Sequence, residues 1–325
     1  MDGLIELLGK SDRPGVKFNE SIDGFETWEI YSDGDSIHFR TRRILNNDVV
    51  PWLNQREGEV GNEDSCDILR VVWVTRKFES TNGPWEDEMT KKNHDLVLDC
   101  FDLKKTYQAV THGSLICLPM DDRRDLHKQH FALAMFAHTG TLIWTHDLMT
   151  NRTEAVWYGD NESVPFSSIL PVLDSQKKLA RHPMFLALIA LICTSQTTQA
   201  MIEPVCDKIN QVENRTQHCP AHLLRPSIAE GSYADLSAMM SGTATRLAGL
   251  EGCNHSLADI FDSVLGYKWP QGVTQPGWAG MIANEIDECV LFLKKTTNGQ
   301  NQRIRYLSQR ADIQLTAVSH FVDFP

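Results

Sequence analysis

The chain has 325 residues, 42% hydrophobic and 23% charged, enough to bury one large core or two smaller ones. Its 43 acidic residues outnumber 31 basic ones and leave a formal net charge of -12. That balance argues against a phosphate-backbone partner, which requires a concentrated positive surface, so nucleic acid is not expected as a ligand.

The N-terminal stretch MDGLIELLGKSDRPG has an acidic second residue and too short an apolar run for a signal peptide. Eight cysteines (Cys66, Cys100, Cys117, Cys193, Cys206, Cys219, Cys253 and Cys289) are scattered without CxxC pairs and are expected to be reduced, mostly buried thiols of the cytosol. The Asn-x-Thr triplets at Asn151 and Asn214 then count as chance matches to the glycosylation pattern.

In chain order, FETWEIY from Phe25 alternates as a half-buried strand does, and ILRVVWV from Ile68 is a dense β-branched run suited to a central strand. MTKKNHDLVLDCFDLKKTYQ places Leu96, Cys100, Leu103 and Tyr107 at helical spacing and is predicted to pack on the sheet. SLICLP from Ser114, FALAMFAHTGTLIWTHDL from Phe131 with a turn at Thr139-Gly140, and EAVWYG from Glu154 complete the strands. After about Pro165 helices take over.

MFLALIALIC, from Met184 to Cys193, is the most apolar stretch; a membrane span needs ~20 such residues, so it reads as a buried helix. In SIAEGSYADLSAMMSGTATRLAGLEG, Leu236, Met240, Thr243, Leu247 and Leu250 step by four and three, with Gly252 as the predicted stop. SLADIFDSVLG then forms a short helix closed by Gly266. A fourth helix from near Trp278 carries Ile282, Ile286, Val290 and Leu293 on one face. A fifth carries Ile304, Leu307, Ala311, Leu315 and Val318. Asn298-Gly299 between them marks either a break or the weak point of one long helix.

The sequence contains no GxSxG elbow, P-loop, HExxH or strand-following GxGxxG. Three constellations remain. His130, His138 and His146 are eight apart, so on one straight strand they would share a face, as a metal site requires; structural histidines are the preferred reading. Cys206, Cys219 and His222, with His218 beside them, approach zinc-ligand spacing; Cys219 and His222 are close enough for a knuckle but Cys206 lacks a near partner, so a loop between helices with incidental thiols is preferred. Glu86, Asp87, Glu88, Asp95, Asp99 and Asp102 offer oxygens to a hard cation, or else acidify the start of a helix capped by Thr90, which is preferred.

NGPWEDEMTKKNHDLVLDCFDLKKTYQ, ADLSAMMSGTATRLAGLEG and, most of all, RIRYLSQRADIQLTA resemble a group of fungal proteins with a CorA-like cytosolic domain. The resemblance runs in order from Phe25 to Val318. It implies the plan of the CorA divalent-cation transporters: an α/β cytosolic domain, a long stalk helix, and two transmembrane helices from which five subunits build a pore. This sequence departs from that plan in having no Gly-Met-Asn signature and no apolar stretch able to supply either spanning helix. After QLTAV it ends in SHFVDFP, which does not look like a continuing stalk.

The expected fold is α+β/α/β: an N-terminal mixed sheet with packed helices over residues 1–165, then a helical half with a long stalk-like helix over residues 166–325. The resemblance implies a non-enzymatic soluble protein, equivalent to the cytosolic domain of a CorA-like metal-ion transporter and unable to conduct ions alone. Mg²⁺ would be a regulatory ion, with metal ligands unknown and no catalytic or cofactor residues assigned. Partners would be copies of the chain or full-length transporter relatives, and the location cytoplasmic, peripheral to a membrane through such a partner. The alternative is a cytosolic enzyme or ligand-binding protein of unidentified class, for which His112, His138 and Asp147 are arbitrary choices among many.

Overall fold

The computed structural model describes residues 16–33, 36–55, 65–78, 85–112, 118–120, 127–135, 140–159, 166–216, 233–270 and 275–323. The chain divides into two compact units, one built from residues 1–193 and 259–290, the other from 194–258 and 291–325.

The first unit holds a mixed sheet of nine strands among the described residues. They are β1 (Lys17–Phe18), β2 (Phe25–Asp33), β3 (Ser36–Ile44), β4 (Ser65–Phe78), β5 (Trp85–Asp87), β6 (Leu118–Met120), β7 (Lys128–Met135), β8 (Gly140–Asp147) and β9 (Arg152–Gly159). The order across the sheet is β3-β2-β4-β9-β8-β7-β6, with β5 and then β1 joining the far end of β4. β4 and β9 are parallel neighbours, and antiparallel strands flank them. A strand buried on both faces needs apolar residues throughout rather than alternately, and Ile68 to Val74 supplies them around a single arginine.

On one face, Val72, Val74, Val156, Tyr158, Ile143 and Ala132 pack under short helices α1 (Val49–Asn54), α2 (Lys91–Cys100) and α3 (Lys104–His112). Trp52, Val97, Leu98 and Val110 are among the helical residues in this core. The other face carries the indoles of Trp28, Trp73 and Trp157, with ring centroids 5.6–5.9 Å apart. Trp144, on this face, donates from Nε1 to the Pro183 carbonyl at 2.9 Å.

The stretch predicted as one helix from Met89 to Gln108 is two. Asp102 takes φ 58°, its N–H meets the Asp99 carbonyl at 3.3 Å, and the Leu103 N–H meets Leu98 at 2.8 Å. This is a Schellman stop with aspartate in the left-handed position where glycine is usual. The break turns Cys100 outward, and Val97, Leu98, Phe101 and Leu103 form the buried set. Thr90 caps α2 as expected, its Oγ1 accepting from the Asn93 N–H at 3.3 Å.

Four more helices follow: α4 (Phe166–Gln176), α5 (Phe185–Thr216), α6 (Tyr233–Leu265) and α7 (Ala279–Asp323). Gly252 does not stop α6: it lies inside the helix with nothing within 4 Å of where a Cβ would stand, and the helix runs to Leu265. Across Asn298-Gly299, the long-helix alternative holds, since α7 continues for 45 residues. α5 is the one helix among the described residues long and apolar enough to cross a membrane, and 67% of its apolar window is buried inside the protein.

In the second unit, α5, α6 and α7 bury a shared seam. Ile202, Val205, Ile209 and Val212 meet Leu236, Met240, Leu247 and Leu250 and, from α7, Ile304, Leu307, Ala311 and Val318. The four-three step throughout is that of knobs-into-holes packing. Leu315 is only partly buried, and Gln314 takes the seam position beside it, accepting from the Thr216 hydroxyl at 2.6 Å. Arg310 grips Glu213 with two bonds of 2.6 and 2.8 Å, and Arg303 grips Glu203 at 2.8 and 3.1 Å, so α5 and α7 run parallel here.

Two glycines test this description in opposite directions. At Gly140, φ is 88° and an added Cβ would lie 1.7 Å from the Tyr158 carbonyl oxygen, so Gly140→Ala is expected to cost about 2 kcal/mol or more. Gly252→Ala meets nothing and is expected to stabilise by about 1 kcal/mol through helix propensity. Urea unfolding measures both; equal effects of the two substitutions would contradict the assigned backbone.

Candidate functional site

The sheet face under α1 and α2 carries a row of alternating charge. Arg40 on β3, Glu29 on β2, Arg70 on β4 and Glu154 on β9 stand directly opposite one another across adjacent strands. Opposite charges in register attract, and here the helices above exclude most of the water that would screen them.

Glu29 is fully enclosed and accepts from Arg40 Nε at 2.5 Å, Arg42 Nη2 at 2.8 Å and Trp52 Nε1 at 2.6 Å. Burial works against its charge, yet the bonds from Trp52, Arg42 and Arg40 hold its carboxyl below the ordinary range. Arg70 Nη2 lies 2.7 Å from Asp67 Oδ2, which Arg152 approaches at 3.8 Å, and the Arg70 guanidinium rests over the Trp52 ring at 5.6 Å. Arg152 also holds Glu154 at 2.6 Å. For Asp67 and Glu154, burial prevails over the arginines and pushes both carboxyls up.

Further along the same face Arg76 and Asp87 form a buried two-bond pair of 2.6 and 2.9 Å. The Arg76 guanidinium sits 4.5 Å over the Tyr158 ring, whose hydroxyl meets His94 Nε2 at 2.8 Å. Burial lowers the His94 pKa and raises that of Tyr107, beside it, to about 12. Neither network was legible as a site. The signal in the sequence is charged residues Asp67, Arg70 and Arg76 inside an otherwise apolar strand, but their partners come from strands distant along the chain.

The structure disperses the three constellations expected from sequence. His130 pairs across with Thr145 and so shares its face, whereas His146, the next residue, lies on the opposite face. His130 is 3.4 Å from Thr106 Oγ1 and His146 Nδ1 is 2.9 Å from Thr153 Oγ1; His138 lies outside the described residues. Cys206 is on α5, and Cys219, His218 and His222 lie outside the described residues.

Of the acidic group, Asp87 is spent on Arg76, Asp99 holds Lys104 at 3.1 Å, Glu88 pairs with Lys77, and Asp102 is 3.7 Å from His130 Nε2. Asp147 accepts from the backbone of Met149 and Thr150 in a turn. His112 ends α3, and no side-chain placement is described for it. Among the described residues no group of three or more His, Cys, Asp and Glu side chains is arranged to hold a metal. Among the six described cysteines the expectation of mostly buried thiols is corrected: only Cys193 is buried, while Cys66 and Cys100 are exposed.

The second unit presents a different feature. Phe292, Tyr306 and Ile313 on α7 are 69%, 55% and 58% exposed. They are spaced by multiples of seven, with Gly299 at the position between the first two, so they form one stripe away from the buried seam. Arg310 lies over the Tyr306 ring at 5.6 Å while holding Glu213, which fixes the edge of the stripe.

No family model matches the sequence, and no curated protein matches it. Among solved structures, the soluble domain of CorA from Methanocaldococcus jannaschii is similar with a TM-score of 0.48 at 10% identity, over 77% of this chain and 87% of that one. The complete CorA magnesium transporter of the same organism gives 0.47 at 10% identity, over 92% and 79%. The full-length CmaX protein gives 0.46 at 12% identity, over 94% and 81%.

The buried imidazoles generate a pH prediction. Burial lowers His146 to about 3, with His182 nearby adding to the effect, and burial lowers His182 to about 4. Both values lie below the ordinary histidine pKa of about 6.5, so the unfolded chain takes up protons first. The stability these groups contribute is complete above about pH 6.5 and declines as pH falls toward the folded values. The raised carboxyls of Asp67 and Glu154 act in the opposite direction, so the rings are read by difference. Replacing both histidines with Gln is expected to remove part of the wild-type fall in urea midpoint between about pH 6.5 and 4, and identical pH profiles would contradict the burial of both rings.

Proposed function

We propose that the chain serves as a non-enzymatic module equivalent to the cytosolic domain of a CorA-like metal-ion transporter. It assembles with copies of itself or with full-length relatives, and responds to Mg²⁺ as a regulatory ion. The segments from Phe25 to Val318 that resemble this group, in the order sheet, packed helices and long terminal helix, support the reading.

One observation carries it: the stripe of Phe292, Tyr306 and Ile313. A helix of 45 residues needs one apolar seam to pack within its own unit, and α7 has that seam in Ile304, Leu307, Ala311 and Val318. A second stripe left in water costs solubility unless a partner covers it. Because the step is heptad, the natural partner is another helix, and a second copy offers the same stripe in return.

The regulatory part of the reading rests on charge. Copies carrying a formal net charge of -12 repel one another, and a divalent cation between facing carboxylates offsets that repulsion. No residues are assigned as its ligands.

Light scattering of the purified chain, with millimolar Mg²⁺ and with a chelator, tests the reading. The expected result is a multimer with Mg²⁺ that shifts toward the 36.8 kDa monomer with chelator, and a Phe292→Glu/Tyr306→Glu variant that stays monomeric in both. A wild-type chain that is monomeric and indifferent to both conditions would overturn it.

A further inference from the structure

The buried seam of the second unit is interrupted at one level by polar residues. On α7 the four-three series from Leu293 to Val318 is apolar except at Thr297, Gln300 and Gln314. Gln314 is satisfied by Thr216. Thr297 and Gln300 are adjacent seam positions, 3% and 6% exposed, and the amide of Gln300 donates to the Ser195 carbonyl at 3.1 Å, which places this level against the start of the α5 segment of the unit. On α6, the series Leu247, Leu250, Leu257 is interrupted by Asn254, 1% exposed and one turn from Glu251, the residue that Arg305 holds at 2.9 Å.

These side chains, with Asn301 one residue on from Gln300, carry buried polar atoms without partners among the described residues. Asn254 Oδ1 and Nδ2, Thr297 Oγ1, Gln300 Oε1 and Asn301 Oδ1 are buried and have no hydrogen-bond partner among the described residues. A dry, unpaired polar atom costs about 1–3 kcal/mol, so five left dry would weigh heavily on a marginally stable fold.

Thr297 adds an independent sign. Helical Ser and Thr hydroxyls normally donate to the carbonyl four residues back, as Thr243, Thr296, Ser308 and Thr316 do here at 2.7–3.1 Å. The Thr297 hydroxyl makes no such bond, although it is more buried than its neighbour Thr296.

The chemistry of the set selects its ligand. Three carbonyl oxygens of the amides Asn254, Gln300 and Asn301 outnumber the one free amide nitrogen, with a hydroxyl able to act either way, so the site needs proton donors. It contains no carboxylate, and Mg²⁺, which dehydrates reluctantly, is held by charged oxygens. Water supplies two donors and two acceptors per molecule and satisfies buried polar groups of this kind in twos to fours. We propose that Asn254, Thr297, Gln300 and Asn301 bind internal water at one level of the helical seam. The layer is a built hydration site within the bundle formed by α5, α6 and α7.

Thr297→Val decides the matter by the sign of its effect, since it replaces the hydroxyl with a methyl group of similar shape. Bound water left with fewer partners is expected to lower the folding equilibrium constant about tenfold in urea unfolding. A dry layer would lose an unsatisfied hydroxyl instead and become more stable, which would overturn the proposal. A second readout is oxygen-17 relaxation dispersion of water in the wild type and in an Asn254→Leu/Thr297→Val/Gln300→Leu variant. Loss of slowly exchanging water in the variant is the expected result; an identical dispersion in a folded variant would sink the assignment.

Discussion

The parallel pairing of β4 with β9 is the constraint on which the first unit depends. Both strands are enclosed on both faces, so every backbone group must bond within the sheet and nearly every side chain must find apolar neighbours. The antiparallel strands supply the first condition; the second is met by α1–α3 on one face and by the packed indoles of Trp28, Trp73 and Trp157 on the other. The charged row is the exception that this enclosure permits. Arg70 is tolerated in the centre because Asp67, the Trp52 ring and the carbonyl groups of Trp52 and Gln55 surround its guanidinium. A buried pair of this kind is weak evidence of added stability, but losing one member leaves the other uncompensated.

Much of the sheet was legible because its physics is local. Ile68 to Val74 announces a central strand by its own composition, and the alternation in Phe25 to Tyr31 announces a strand with unequal faces. The charged row was not legible, since Glu29 meets Arg40 and Arg70 only after the register is set, and register is a property of pairs of strands. The split between α2 and α3 is hidden in the sequence because Asp102 adopts a conformation that a sequence advertises clearly only when glycine is present.

The helices show the reverse error. In the sequence Gly252 looks like a stop because glycine commonly ends helices, yet the seam of α6 continues past it through Asn254 and Leu257. Asn298-Gly299 is likewise carried by seam residues on either side, Thr297 and Gln300. In both cases tertiary burial of one face outweighs a propensity cost of about 1 kcal/mol per glycine. The same burial pattern that corrects these boundaries exposes the stripe on the other side of α7. Sequence periodicity alone did not separate the two stripes, because both share the heptad step and only packing decides which one is covered.

The central claim is that the stripe is a surface for another copy of the chain. Its most direct test is pulsed electron paramagnetic resonance on the protein with Mg²⁺, with a spin label at Ile313→Cys and the exposed native cysteines replaced. The account expects a short dipolar distance between copies that disappears on dilution with unlabelled chain, and none from a label at Lys91→Cys on α2. No dipolar coupling at the stripe, under conditions where light scattering reports a multimer, would contradict it and place the assembly surface elsewhere.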